Sequence, residues 1–344
     1  MSDNKDQKLL GYTQNKGIFN YIKQHINKYN LVMSYFIGPN LNIFEKILIT
    51  IDFAICAIVL GAGINDYFQY NFYKKRFIDR KNFIVGRKWI KMVKKCNGSI
   101  ENEKFDDKSK FNKIYSEYLG REWLDTKECS FEEFDIFTSR FEKSIYKMKS
   151  GSGGNGIGIY DRSKSMDIRK DFENFKKENV ILEELIIQHK EMAKFNPSSV
   201  NTIRVVTILQ KDKVNVMSAI FRTGNGKGST DNFHHFGLAA LIDVETGLVY
   251  TPTIDKKNQK FIKHPISGEQ IIGFQIPYWD KIIQTVTKAA KVDSKVKYVG
   301  WDVAIREDGV ICIIEGNCSS DPDITQMPDQ VGKRKEYRKI LKRL

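Results

Sequence analysis

The chain has no CxxC pair, few prolines and no surplus of acid. Its five cysteines (Cys56, Cys96, Cys129, Cys312, Cys318) are scattered and odd in number, a pattern that fits neither a disulfide framework nor a zinc site. Reduced thiols in a cytoplasmic protein are the expectation. Seven prolines in 344 residues, with 41% hydrophobic and 12% aromatic content, exclude a globally disordered chain and leave material for a sizeable core. The first forty-odd residues are polar and mixed and do not read as a signal peptide. The longest apolar run, residues 47–64, is eighteen residues and is interrupted by Asp52, whose insertion into a bilayer centre costs roughly 2.5–3.5 kcal/mol. Basic residues flank it on both sides (Lys46; Lys74, Lys75, Arg76), so they signal no orientation. The run is expected to be a helix buried in a soluble helical lobe, with membrane association the less favoured reading.

Charge of one sign is present in excess: 56 Lys+Arg against 42 Asp+Glu, a formal +14. The lysines are spread over the whole chain among many Asn and Ile residues, which reads as compositional bias rather than a nucleic-acid footprint. No nucleic-acid partner is expected. A positive field that gathers an anionic nucleotide or sugar phosphate fits as well.

Residues 1–120 read as helical. The run 83–97 has apolar residues at helical spacing, and the helix after Asp106 or Asp107 stops at Gly120. From about Arg121 the texture changes to short β-type runs (143–149, 156–160, 180–187), separated by one helical stretch at 165–179. Longer strands follow Pro197, with turns at Glu245–Gly247 and Asp308–Gly309 and one long helix at 278–292. The fold class is α+β, with a helical region over 1–120, a first β-containing lobe over 121–190 and a second over 191–335.

Five glycines fall within eight residues, Gly151 to Gly158, immediately after the lysine-bearing run "IYKMKS". A flexible linker would be flanked by surface-like sequence. Here the flanks alternate apolar and polar, so the tract reads as a hairpin whose tip can fold over phosphate, with Lys147 or Lys149 reaching the same anion. No lysine follows the glycines as in a P-loop, and no helix follows as in a Rossmann turn.

Two further stretches carry chemistry. "NVILEELIIQH" (179–189) places Glu183 and Glu184 on a strand that runs into Gln188 and His189. A nucleotide site needs such a segment, with backbone to meet adenine and polar groups to hold ribose, although two solvated acids on an edge strand look the same. "VGWDVAIREDGVICIIEGN" (299–317) is stronger. Glu315 and Asn317 lie two apart and point to one face, and Asp302 reaches them from the neighbouring strand. Hard cations such as Mg²⁺ take one or two carboxylates plus substrate phosphates, and an acid ending the apolar run "VICII" is poorly explained as surface decoration.

Taken in order, the lysine strand, glycine loop, acidic segment and D…ExN hairpin resemble the ATP-grasp superfamily. "HKEMAKFNPSSVNTIRVVT", "GWDVAIREDGVICIIEGN" and "INDYFQYNFY" (64–73) narrow the resemblance to its sugar-transfer-associated family. The resemblance implies two β-containing lobes clamping ATP. Lys149, or Lys147 in the alternative register, would contact the α/β phosphates; Gly153, Gly154 and Gly156 would form the lid. Glu183, Glu184 and Leu185 would be the adenine hinge, with Gln188 near the ribose. Glu315 would bridge two Mg²⁺ ions with Asp302 and Asn317, although the second acid of many ATP-grasp enzymes lies further upstream than Asp302. Arg204, in "NTIR", would neutralise charge at the reacting centre. The polar loop 220–237 offers Arg222, Asn232, His234 and His235 as substrate contacts, with Asn201 on the strand entry; a mobile surface loop is the plain alternative. The implied activity is ATP- and Mg²⁺-dependent joining of a carboxylate to an amine, in surface-polysaccharide biosynthesis. A phosphotransferase and a non-catalytic nucleotide-binding scaffold are the competing readings.

Overall fold

In a computed structural model, the structure describes residues 18–98, 103–151, 156–226, 233 and 237–342, with side chains from residue 23 onward. Helices α1 (Ile18–Ile37), α2 (Ile43–Val59), α3 (Ile64–Gln69) and α4 (Gly86–Asn97) come first. The α2 start is fixed by a reciprocal cap: Glu45 N–H donates to Asn42 Oδ1 and Asn42 N–H donates to Glu45 Oε2, both at 2.9 Å. Helix α5 (Lys108–Ile114) starts where Asp107 Oδ1 accepts from the Ser109 and Lys110 N–H groups, in agreement with the sequence reading.

Two antiparallel sheets follow. The smaller holds β1 (Trp123–Asp125), β2 (Lys143–Met148), β3 (Ile157–Asp161) and β4 (Val180–Glu184) in the order β1-β4-β2-β3. Helices α6 (Phe131–Arg140) and α7 (Ile168–Glu178) cover it through an aromatic cluster that includes Phe134, Phe137, Phe172 and Tyr160. The sequence reading had one helix here; α6 is a second. Its signature is an S-x-x-E box: Ser130 Oγ accepts from Glu133 N–H at 3.2 Å, and Glu133 Oε2 accepts from Ser130 N–H at 2.7 Å.

The larger sheet contains β5 (Thr202–Gln210), β6 (Lys213–Thr223), β7 (Leu238–Ile242), β8 (Thr253–Ile254), β9 (Lys260–Phe261), β10 (Tyr298–Ile305) and β11 (Ile311–Asn317). Its order is β11-β10-β5-β6-β7-β8-β9. Side chains alternate across a strand, and each face buries a different set. Ile203, Val205, Phe221, Trp301 and Val303 pack under helix α8 (Trp279–Ala289) on one side. On the other, Val206, Ile208, Ile220 and Tyr298 share a core with Tyr67, Phe68, Phe83 and Tyr337, the last from the C-terminal helix α9 (Arg334–Leu341). The N-terminal helices therefore share their core with the sheet. Gln326 strengthens that joint: its Oε1 accepts from Ile84 N–H at 2.9 Å and its amide donates to Tyr70 Oη at 3.0 Å.

The apolar run 47–64 departs from expectation. It is helical through Val59, but among the α2 side chains only Cys56 is fully buried. Asp52 does find partners, as a soluble lobe requires: Arg80 Nη1 donates at 2.7 and 2.8 Å and the Tyr67 hydroxyl at 2.6 Å. Among the described residues no helix is long and apolar enough to cross a membrane.

Candidate active site

The site lies between the two sheets, where strand pairing sets the chemistry. On β10, Asp302 stands opposite Arg204 of β5 on one side and Glu315 of β11 on the other. Arg222, on β6, points to the same face as Arg204. Gly300, two residues before Asp302, leaves room for this crowding: a Cβ there would lie 2.5 Å from Ser320 Oγ and 3.0 Å from Arg204 Cδ.

Asp302 is buried and gripped by two guanidiniums. Arg204 Nε and Nη2 donate to its two oxygens, the latter at 2.7 Å, and Arg222 Nη1 donates to both at 2.9 Å. Burial opposes ionisation, but the two arginines outweigh it and hold the Asp302 carboxyl well below the usual carboxylate range. Glu315, near the end of β11, keeps an exposed surface. Enclosure by surrounding protein, together with the Asp302 charge and a hydrogen bond between the two side chains, pushes its carboxyl up. Asn317 Oδ1 accepts from Ser319 N–H at 2.9 Å.

The residues around Glu315 have the chemistry to hold a divalent cation. A carboxyl driven towards its protonated form by a neighbouring carboxylate is a place where a cation can replace the proton. Glu315 and Asn317 supply the hard oxygen donors that Mg²⁺ takes alongside phosphates. Both Asp302 oxygens are engaged by guanidiniums, so Asp302 serves chiefly as the adjoining charge. Among the described residues no three His, Cys, Asp or Glu side chains form a cage. The donor set fits.

On the smaller sheet, β2 presents Lys147, and Lys149 follows directly after the strand's end. Lys147 Nζ donates to Glu183 Oε2 at 2.6 Å, and Lys149 pairs with the buried Asp125 at 2.7 Å. The hairpin they lead into closes through Met148 N–H donating to the Gly156 carbonyl at 3.0 Å, with Gly156 at φ +71°. Glu183 is the buried hub. Arg121 grips it bidentately (2.9 and 2.8 Å) and Asn112 donates at 3.1 Å. Burial opposes its ionisation, and Arg121 and Lys147 together hold it well below the ordinary range.

Arg121 also crosses to the larger sheet. Nη1 donates to the Ile313 carbonyl at 2.7 Å and Nη2 to that of Ile314 at 3.2 Å, just before Glu315. Lys108 completes the bridge, donating to the Gly151 carbonyl at 2.9 Å. Burial lowers its pKa, and Glu315, Lys147 and Glu183 are among the charges it senses. Of the three lysines, Lys108 is the one that senses the Glu315 charge, while Lys147 and Lys149 are held by Glu183 and Asp125 of the small sheet.

Residues 89–342 match the family model described as sugar-transfer associated ATP-grasp. The chain belongs to that family. No curated protein matches it in sequence. Its fold is similar to that of the ATP-grasp ligase PsnB in complex with its minimal precursor, at 14% identity and TM-score 0.45, covering 72% of this chain and 64% of PsnB. The chain thus spans less than two thirds of that relative. Biotin carboxylase from Campylobacter jejuni is similar at 13% identity and TM-score 0.44 (70% and 47% covered), and N5-carboxyaminoimidazole ribonucleotide synthetase from Thermotoga maritima at 12% and 0.37 (62% and 42%).

Among the site residues expected of an ATP-grasp protein, the structure brings together Lys147 with Glu183, and Arg204 and Arg222 with Asp302 and Glu315. Glu184 accepts from Arg306 Nη1 at 2.9 Å, and the chain leaves the small sheet at Leu185. Gln188 and Asn201 are engaged with each other: Gln188 Oε1 accepts from Asn201 Nδ2 at 2.9 Å, while Asn201 Oδ1 accepts from Thr223 at 2.6 Å. Their side chains build the 196–201 loop, with Gln188 Nε2 donating to the Asn196 and Ser199 carbonyls. Gly153, Gly154, Asn232, His234 and His235 lie outside the described residues. Sequence reasoning missed Arg121 and Lys108. For Arg121 the available signal is its place right after Gly120, which ends the helical region at φ +61°.

Proposed function

We propose that the protein is an ATP- and Mg²⁺-dependent ligase that activates a carboxylate as an acyl phosphate and joins it to an amine. A sugar acid or amino acid destined for surface polysaccharide is the proposed substrate, in keeping with the family's association with sugar transfer. The observation that carries the reading is the Arg121 link between the Lys147–Glu183 pair of the small sheet and the Ile313 and Ile314 carbonyls just before Glu315, which stands opposite Asp302 and its two arginines, in a chain of ATP-grasp family. Lys147 and Lys149 meet the nucleotide phosphates, and the backbone of Glu184 and Leu185 meets adenine, since the Glu183 side chain is turned inward to Arg121. Gln188 is proposed to lie near the ribose and Asn201 at the substrate, both bracing the 196–201 loop. Glu315 and Asn317 would hold Mg²⁺, which when bound neutralises phosphate charge.

The substrate carboxylate oxygen attacks the γ-phosphorus, and the bond from that phosphorus to the β–γ bridging oxygen breaks, releasing ADP. The amine nitrogen then attacks the acyl carbon, phosphate leaves with the bonding pair, and the amine loses a proton to solvent. Arg204 and Arg222 offer planar donor forks on the face where the anions meet, preorganised by Asp302. Arg222, with Asn232, His234 and His235 of the 220–237 loop, is the proposed substrate contact.

The test is product analysis by mass spectrometry with ATP, Mg²⁺, candidate sugar acids or amino acids, and amines. An amide with stoichiometric ADP and phosphate, formed only when both substrates are present, is expected. Phosphorylation of a hydroxyl with no amine present would replace ligase by phosphotransferase, and no turnover with any pair would favour a scaffold.

A further inference from the structure

Helix α2 is apolar on both faces: Ile49, Phe53 and Cys56 pack into the core, and a second apolar face is turned to solvent. On a surface helix the polar stripe normally meets water and the apolar stripe meets the core. Here Asp52 and Cys56 face inward, to Arg80 and Tyr67. The outward arc, about 160° wide at 100° per residue, carries no charged residue. Phe44, Ile47, Leu48, Ile51, Ile55 and Ile58 on that arc are 46% to 80% exposed. Contiguous apolar patches of this kind mark interaction surfaces.

Charge beside the patch identifies the occupant. The turn Phe72–Lys74 packs against α2, and the segment from Lys74 to Lys81 contains five basic residues and one acid. Lys74, Arg76 and Lys81 are exposed, as is Ile78 at 62%. A helix with a wide apolar face beside basic groups is built to lie in the headgroup region of an anionic bilayer. At 17 residues α2 extends about 26 Å, enough to lie along the surface and too little to span it. A second copy fits less well, because a two-fold contact through α2 would bring two such basic segments of a +14 chain together. Residues 1–17 contain only Met1, Leu9, Leu10 and Tyr12 as sizeable apolar side chains, too few to cover the patch.

We propose that α2 docks the protein peripherally on anionic membrane, apolar face down, with the 74–81 segment against the headgroups. Since the helical region shares its core with the large sheet, docking holds the cleft at a fixed height above the bilayer.

Cosedimentation of the full-length protein with sucrose-loaded vesicles tests this. The protein should pellet with phosphatidylcholine vesicles containing phosphatidylglycerol and far less with phosphatidylcholine alone, and salt should weaken binding. Ile51→Glu and Ile55→Glu should each lower the partition coefficient at least about tenfold with an unchanged circular dichroism spectrum and melting temperature. Lys74→Glu with Arg76→Glu should erase the preference for anionic vesicles. If the glutamate variants misfold, Ile58→Trp decides instead, since its emission should shift to the blue on adding anionic vesicles. No pelleting with anionic vesicles, or an unshifted tryptophan, overturns the proposal. So does a lipid-free dimer that Ile51→Glu dissociates without altering vesicle binding.

Discussion

Replacing Arg121 by methionine tests the joint between the two sheets. The substitution keeps an unbranched side chain of similar reach and removes every donor. Glu183 would lose its bidentate partner, and the Leu119, Ile313 and Ile314 carbonyls would each lose an N–H. Breaking a buried pair by deleting one member costs about 3–5 kcal/mol, because the other charge stays behind. Lys147 remains 2.6 Å from Glu183 and Asn112 remains 3.1 Å away, so the lower end, about 3 kcal/mol, is expected. With an m-value of about 3 kcal/mol/M, the urea midpoint would fall by about 1 M. Adding Glu183→Gln removes the stranded charge, so the double variant should recover at least about 1 kcal/mol relative to Arg121→Met alone.

The pH dependence separates charge from packing. In the wild type the folded-state pKa of Glu183 is depressed, so its contribution is present above the unfolded value of 4.5 and is lost as pH falls below it. In Arg121→Met the burial penalty is opposed by less positive charge and the Glu183 pKa rises. The penalty of the variant should therefore shrink as pH falls and Glu183 takes up its proton. A stability loss under about 1 kcal/mol, or a loss that does not change with pH, would refute the reasoning.

Three further outcomes are expected. Glu315→Gln should lower kcat at least about 100-fold with the melting temperature kept, because the Glu315 carboxyl is already pushed towards its neutral form; nucleotide binding measured without Mg²⁺ by calorimetry should barely change, and near wild-type turnover would end the metal assignment. Arg204→Lys keeps a charge beside Asp302 but loses the planar fork, so kcat in a coupled ADP assay should fall by at least about 10²-fold, with a smaller effect on ATP affinity; retained activity would show that the reacting centre lies elsewhere. Asp66, on α3, is pushed up to about 6 chiefly by burial, against N–H bonds from Gly86 and Gly63 and with Asp323 and Asp321 adding to the rise. Its folded pKa exceeds the unfolded 3.8, so wild-type stability should decline as pH rises from about 4 through about 6, by at most about 3 kcal/mol at 1.36 kcal/mol per unit. In Asp66→Asn that decline should be shallower in thermal melts, and an identical slope would place the titration elsewhere.

What the sequence disclosed follows from the range of the interactions involved. Asp107 caps α5, and Asp308–Gly309 turns β10 into β11, because both act on neighbours within a few residues. The alternation of Asp302, Glu315 and Asn317 along two adjacent strands is likewise a local pattern, so the acidic hairpin was readable before any fold was known. Ser130 and Glu133 carried an equally local signal for α6, which the β-type runs on either side obscured. Arg121 is different in kind. Its partners lie 62 and 192 residues away, and no spacing or periodicity records them. Arg204 was readable as a charge near the centre, but its pairing with Asp302 depends on β5 and β10 lying side by side across 98 residues.

Helix α2 shows a limit of another sort. Apolar residues in a sequence report that they leave water, and they carry the same signal whether protein or lipid receives them. Asp52 set the orientation, because a carboxylate inside an apolar run has to find a cation. The cation it found was Arg80, on the protein side, and a helix pinned there by its only central charge has to turn its isoleucines outward. One half-buried ion pair thus turns the apolar face outward. The residue that argued most strongly against a spanning helix is also the one that makes α2 able to lie on a bilayer.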